Sequence, residues 1–274
     1  MKLMKCMMAA AAASLLLSAC GTKKSPKVLV LYYSQTEHTT AVAQEIRKAL
    51  KADIEEIIPV EPYAGSYQET IERAGQERAA GILPEIQPIK ADLSQYDIIF
   101  IGYPVWYGTY ALPIATLLEQ TDFSGKKLVP FCTFGSGGLY SSAAEMEAAE
   151  PGATVLPGYG VRSARMDAMP AEVDYFLKSS GFMEGEFEPL AEFPEQHAVS
   201  EEEAAIFDAA VASYPMIQAK AVTTASRKVP TGVEYLFTAE NRPIPGMPAF
   251  GPAQMQVYVL VEDGVEPVFT QCVR

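Results

Sequence analysis

The stretch LVLYYSQTEHTTAVAQEI, residues 29–46, passes from an apolar, β-branched segment through a polar turn into a helical pattern. This order is typical of a strand that leads through a ligand-binding loop into a helix. Most residues from Ser34 to Thr40 carry a hydroxyl or an imidazole. Hydroxyls and the backbone N–H groups at a helix N-terminus hydrogen-bond an oxyanion. The stretch therefore predicts a phosphate loop, in which the carboxylate of Glu37 is unexpected.

The pattern of strand followed by helix recurs along the first two thirds of the chain. Strands are predicted at residues 28–33, 53–59, 98–103, 128–133 and 154–161. Helices are predicted at residues 39–51, 67–79, 111–120, 141–150 and 171–178. This alternation favours an α/β fold with a parallel sheet covered by helices on both faces. Ligands of such sheets bind beyond the carboxyl ends of the strands, so the loops after the first, third and fourth strands are the candidate sites.

The loop after the third strand, GYPVWYGTYALP at residues 102–113, is rich in aromatic side chains. Trp106, Tyr107 and Tyr110 favour a planar, apolar ligand, because aromatic rings stack on one another. An alternative is that Trp106, the only tryptophan of the chain, fills a gap in the core. The loop after the fourth strand, TFGSGGLYSS at residues 133–142, has three glycines within four residues. These glycines let the backbone approach a flat ligand closely.

The three loops together resemble the flavodoxin-like domain of a bacterial group with the motifs S-x-T-G-N-T, Y-P-x-W-x-G-T and V-P-F-C-T. The corresponding residues here are 34–39, 103–109 and 129–133. The resemblance implies a flavodoxin-like three-layer fold with a five-stranded parallel sheet in the order 2-1-3-4-5, and FMN as the cofactor. Glu37 departs from the pattern, since it stands where the first motif has glycine.

The same resemblance implies which residues contact FMN. The phosphate would be bound by Ser34, Gln35, Thr36, His38 and Thr39. The isoalloxazine ring would lie between two groups of residues: Pro104, Val105, Trp106, Tyr107 and Gly108 from the second loop, and Thr133, Phe134, Gly135, Ser136, Gly137 and Gly138 from the third.

A different pattern begins after Phe182. Residues 183–199 have the composition of a linker, and Ser200 then begins a capping-box signature before a helix. Alternating runs at residues 219–228, 233–240, 254–261 and 265–272 predict an antiparallel sheet, so residues 200–274 form a small α+β domain. This domain faintly resembles the cystatin fold. Residues 228–232 lack the glutamine of the cystatin inhibitory turn and no tryptophan lies near Asp263, so protease inhibition does not follow.

The first residues predict an exported protein. Lys2 and Lys5 precede a short apolar run, and small residues stand immediately before Cys20. The arrangement resembles the bacterial lipobox and implies a signal peptide at 1–19, a lipidated Cys20 that anchors the protein to a membrane, and a tether at 20–26. An ordinary signal peptide with an accidental cysteine is the alternative. The flavodoxin-like domain would then span residues 27–182.

Charge and residue counts exclude several classes of function. The formal charge of −13 argues against nucleic-acid binding. With two histidines and no Ser-His-Asp arrangement, no metal site and no catalytic residue are assigned. Cys132 and Cys272 are expected as two separate buried thiols.

Two functions stay open at this point. The sequence favours a membrane-tethered, FMN-binding protein that passes electrons to an unknown redox partner or to a small-molecule acceptor such as a quinone. The alternative is a flavin-free scaffold that binds a protein or peptide through its C-terminal domain.

Overall fold

The computed structural model describes residues 26–214, 216–242 and 253–274. The predicted signal peptide, the predicted lipidation site at Cys20 and most of the predicted tether lie outside these residues. Among the described residues, no helix has both the length and the apolar run needed to cross a bilayer.

The first domain contains a parallel sheet with helices on both faces, as predicted. Its strands are β1 (Val28–Tyr32), β2 (Asp53–Glu56), β3 (Ile98–Trp106), β4 (Thr109–Tyr110), β5 (Lys127–Phe134), β6 (Thr154–Val155) and β7 (Tyr159–Arg162). Its helices are α1 (His38–Leu50), α2 (Tyr67–Ala80), α3 (Leu112–Gln120), α4 (Leu139–Ala149) and α5 (Met169–Ser179). The parallel strands are ordered β2-β1-β3-β5-β6, with β7 also pairing with β5, which confirms the predicted order 2-1-3-4-5.

The fifth strand differs from its prediction. The run at 154–161 forms two short strands, β6 and β7, which pair with successive parts of β5. Pro157 and Gly158 separate them. Proline has no N–H to donate to the ladder, and a side chain at Gly158 would collide with the carbonyl oxygen of Pro130.

Two apolar layers cover the sheet. On one face, Val42 and Ile46 of α1 pack with Val173 and Phe176 of α5. On the opposite face, side chains of α2, α3 and α4 pack against the alternate residues of the strands. Because both faces are buried, the only parts of the sheet that can receive a ligand are its edges and the ends of its strands.

The second domain is a helix on an antiparallel sheet. Its elements are β8 (His197–Ala198), α6 (Glu201–Val211), β9 (Ala219–Val229), β10 (Gly232–Asn241), β11 (Gln254–Val261) and β12 (Val268–Val273), and the strand order is β12-β11-β10-β9-β8. Ser200 caps α6 in the predicted capping box with Glu203. The short β8 lies within the segment predicted as linker, where it pairs with β9. The resemblance of this domain to cystatins stays a prediction.

Candidate functional site

The loop between β1 and α1 has a backbone that suits an anion. Within the described ranges, the N–H groups of residues 34–39 donate to no protein acceptor, while the N–H of Thr40 donates to the Ser34 hydroxyl at 3.3 Å. The Gln35 side chain is held inward, because it accepts from the Tyr33 hydroxyl and donates to the Tyr63 carbonyl, each at 2.6 Å. A run of free N–H groups at a helix N-terminus is the donor set that binds a phosphate.

Glu37 adopts the backbone conformation that glycine prefers. Its φ is 63° and its ψ is −11°, which is left-handed, and it stands at the N-cap of α1 without a side-chain cap. An L-residue in this conformation costs about 1–2 kcal/mol, whereas glycine adopts it freely. The glycine of the family pattern is therefore explained by the turn, and here a strained glutamate makes the same turn. The Glu37 side chain is exposed.

A second carboxylate lies near this loop. Glu56 lies at the end of β2, and its pKa is raised. The larger cause is partial desolvation, and the smaller is the negative charge of Glu37. The two carboxylates therefore give the rim of the phosphate loop a negative potential that opposes an anion.

The predicted phosphate ligands are not all equally available. Thr36 is exposed and His38 is half-buried. The Thr39 hydroxyl is buried and lies 2.9 Å from the hydroxyl of Thr133, in the third loop. That hydrogen bond joins the first and third loops beneath the surface.

The loop after β3 presents one ring to solvent and buries another. Tyr107 has a φ of 53° and is 53% exposed, and its hydroxyl donates to the Ile71 carbonyl at 2.7 Å. Trp106 is only 8% exposed and packs edge-to-face on Tyr33 and Tyr63, with centroid distances of 5.7 and 4.9 Å. Contact between Trp106 and a bound ring stays a prediction, and Tyr107 is the more accessible ring of this loop.

The remaining residues of the second loop lie beside the third loop. Pro104 and Val105 are half-buried, and Gly108 is exposed. The Gly108 carbonyl accepts from the Ser141 hydroxyl at 2.6 Å, in the first turn of α4.

The third loop follows β5 and reaches the N-cap of α4 at Gly138. Thr133 and Phe134 are buried, Gly135 is exposed, and Ser136 and Gly137 are half-buried. A β-carbon at Gly138 would lie 2.6 Å from Val105, so glycine is required where the second and third loops meet.

The three loops are adjacent because β1, β3 and β5 are parallel neighbours in the sheet, so their carboxyl ends lie side by side. The structure thus brings the three predicted loops together, although Thr39, Trp106, Thr133 and Phe134 are buried within them. The surface that the loops form has free N–H groups at one end and glycine backbone with an exposed tyrosine at the other. This donor set fits a phosphate monoester joined to a flat ring.

Sequence reasoning missed four residues that approach the third loop. Arg162 donates from Nε to the Gly135 carbonyl at 2.8 Å, and the N–H of Cys272 donates to the Ser136 carbonyl at 2.5 Å. Tyr214 and Phe269 lie beside them. Arg162 could have been predicted as a site residue, because it is a charged residue at the end of the last parallel strand. No local sequence pattern marks the other three as neighbours of the third loop. Cys132 and Cys272 are both free and buried, as predicted.

Comparisons with known proteins give one family match and several similar solved structures. A family model described as flavodoxin matches residues 27–173. A candidate flavoprotein from Bacteroides uniformis is 27% identical, with 55% of this chain and 99% of that chain covered and a TM-score of 0.49. A candidate flavoprotein from Bacteroides eggerthii is 29% identical, with coverages of 54% and 96% and a TM-score of 0.48. A flavoprotein from Lactobacillus acidophilus, solved in complex with FMN, is 28% identical, with coverages of 49% and 93% and a TM-score of 0.46.

Proposed function

This chain belongs to the flavodoxin family, and on that premise we propose that it binds FMN at the three-loop surface and transfers electrons. The observation that carries the proposal is the run of free backbone N–H groups at residues 34–39, beside two loops that expose Tyr107, Gly108 and Gly135. Bound there, FMN supplies one- and two-electron redox chemistry, and the protein supplies position and electrostatics.

The residues of this chain would have distinct tasks. The N–H groups of 34–39 and the positive end of the α1 dipole hold the phosphate. Tyr107 offers the exposed ring against which the isoalloxazine packs, and the backbone N–H groups of residues 135–138, which donate to no acceptor among the described residues, are available to its polar edge. The carboxylates of Glu37 and Glu56 disfavour added negative charge and so lower the reduction potential of the site.

Purification followed by flavin extraction and mass measurement tests this proposal. A yellow protein that releases FMN, or a colourless one that becomes yellow with added FMN, supports it. A colourless protein that cannot be reconstituted supports the flavin-free scaffold instead, in which the C-terminal domain recruits a protein or peptide.

The electron acceptor is proposed to be a redox protein or a small molecule such as a quinone. No side chain of the described surface selects between them. Anaerobic mixing of the dithionite-reduced protein with a water-soluble quinone tests the second option. Rapid return of the visible flavin band supports quinone reduction, and no reoxidation favours a protein partner.

We also propose that the protein is exported and held on a membrane by a lipid on Cys20. The support is the leader-like sequence that ends at this cysteine. Metabolic labelling with a fatty-acid probe should mark the wild-type protein and not Cys20→Ser. Equal labelling of both would contradict the anchor.

A further inference from the structure

Arg162, the last residue of β7, connects the third loop to the C-terminal domain. The residue is buried, with 5% of its surface exposed. Its Nε donates to the Gly135 carbonyl at 2.8 Å, and its Nη1 donates to the Phe269 carbonyl of β12 at 2.9 Å. Its guanidinium lies 3.5 Å from the centroid of the Phe269 ring, and 5.6 Å from that of Tyr214. One buried side chain thus binds both domains at the edge of the candidate cofactor surface.

The charge of Arg162 has no carboxylate partner among the described residues, whose ion pairs involve other groups. Arg165, three residues later, contrasts with it, because it pairs with Glu172 at 2.7 Å. Burial lowers the pKa of Arg162 to about 10, so the group is still charged at neutral pH. A buried charge is costly unless hydrogen bonds compensate it, and here carbonyl oxygens and aromatic faces do so.

Other contacts hold the same loop from the C-terminal side. The N–H of Cys272 donates to the Ser136 carbonyl at 2.5 Å. A β-carbon at Gly135 would lie 2.9 Å from the Tyr214 hydroxyl, and one at Gly137 would collide with the Cys272 carbonyl oxygen. The side of the loop that faces the second domain is therefore closely packed along residues 135–137.

We propose that Arg162 is a positioning residue of the cofactor site, and that through it the C-terminal domain holds residues 133–138 in the conformation that receives the flavin ring. This inference rests on the proposed function. A loop with three glycines loses much conformational entropy when a ligand orders it, so fixing the loop beforehand strengthens binding. The unneutralised charge of Arg162 also favours the negative charge that reduction brings to the site, against the effect of the acidic rim.

Four full-length variants test the proposal by titration with FMN. Arg162→Gln should weaken FMN binding at least tenfold and shift the reduction potential to a more negative value. Arg162→Lys keeps the charge but lacks the planar fork that reaches two carbonyls, so its potential should stay close to wild type while its affinity is intermediate. Arg165→Gln removes a neighbouring, ion-paired arginine and should stay within twofold of wild type. Tyr214→Ala removes a side chain of the C-terminal domain that packs beside Gly135, and it should weaken FMN binding severalfold.

Hydrogen exchange of the FMN-free full chain gives a readout that needs no flavin. The amides of residues 133–138 should exchange faster in Arg162→Gln than in wild type, while α1 is unchanged. Equal affinity, potential and loop exchange in Arg162→Gln and wild type would overturn the proposal. So would losses of the same size in Arg165→Gln. If Arg162→Gln does not fold, unchanged FMN binding by Arg162→Lys and Tyr214→Ala overturns it instead. A wild type that cannot bind FMN overturns the proposed function, and with it this inference.

Discussion

Replacing Glu37 with glycine should tighten FMN binding, because it removes a negative charge beside the phosphate loop; the same change relieves a strained backbone. Glu37 holds a left-handed backbone conformation at the N-cap of α1, with φ of 63°, and its carboxylate is exposed at the rim of the phosphate loop. Glycine removes both the backbone strain and the negative charge. It also removes part of the repulsion that acts on Glu56, whose pKa is raised by desolvation and by Glu37.

The expected magnitudes follow from exposure. Two unit charges about 4 Å apart in bulk water repel by about 1 kcal/mol, which corresponds to about a fivefold change in affinity. Because the Glu37 side chain is exposed, the high-dielectric value applies, and at about 0.1 M salt the Debye length of about 10 Å reduces it further. We therefore expect about fivefold tighter binding at low salt and about twofold or less at physiological salt. The relief of strain, about 1–2 kcal/mol, is largely offset by the greater freedom of glycine in the unfolded chain, so Tm should change little.

FMN affinity measured across ionic strength for wild type, Glu37→Gly and Glu37→Gln separates the effect of the charge from any effect of the backbone. Glu37→Gln is the matched control, since it removes the charge and keeps a side chain in the left-handed conformation. If electrostatics dominates, both variants bind more tightly and the gain shrinks as salt rises. A gain in Glu37→Gly alone assigns the effect to the backbone. Equal affinities of all three proteins at low salt refute the reasoning, and no binding by any of them supports the flavin-free scaffold.

Three further outcomes are expected. Titration of the apoprotein with FMN should quench the fluorescence of Trp106, which is the only tryptophan and packs on Tyr33 beside the phosphate loop; binding without quenching would place Trp106 in the core alone. The full-length chain should not inhibit papain-like proteases at micromolar concentration, because residues 228–232 lack the glutamine of the inhibitory turn and no tryptophan lies near Asp263, and measurable inhibition would contradict this. Glu56→Gln should raise Tm relative to wild type, and the difference in Tm should grow as pH rises from about 4 to about 7. Folding raises the pKa of the Glu56 carboxyl. Such a group stabilises the folded state below its unfolded pKa, and that contribution is lost as pH rises through its folded pKa. A difference in Tm that does not vary with pH would show that Glu56 titrates as it does in the unfolded chain.

The sequence by itself determined the elements and their order. Strand and helix periodicity, the Ser200 capping box and the glycines of the third loop are signals that act over a few residues, and the observed elements agree with them closely. The parallel arrangement of the strands then brings the three loops together at the carboxyl ends of the strands. Glu37 was identifiable as unusual from the sequence, since it replaces a motif glycine.

Only the tertiary structure decided how the two domains meet and which side chains that meeting buries. The Arg162 hydrogen bond to Phe269 joins residues 107 positions apart, and the Ser136 contact with Cys272 spans a still longer stretch of chain. Trp106 likewise owes its burial to Tyr33 and Tyr63, which come from different loops. The physical reason is range: periodicity and capping report the local free energy of the backbone, whereas these contacts exist only after separately formed elements dock, and no short pattern encodes the docking.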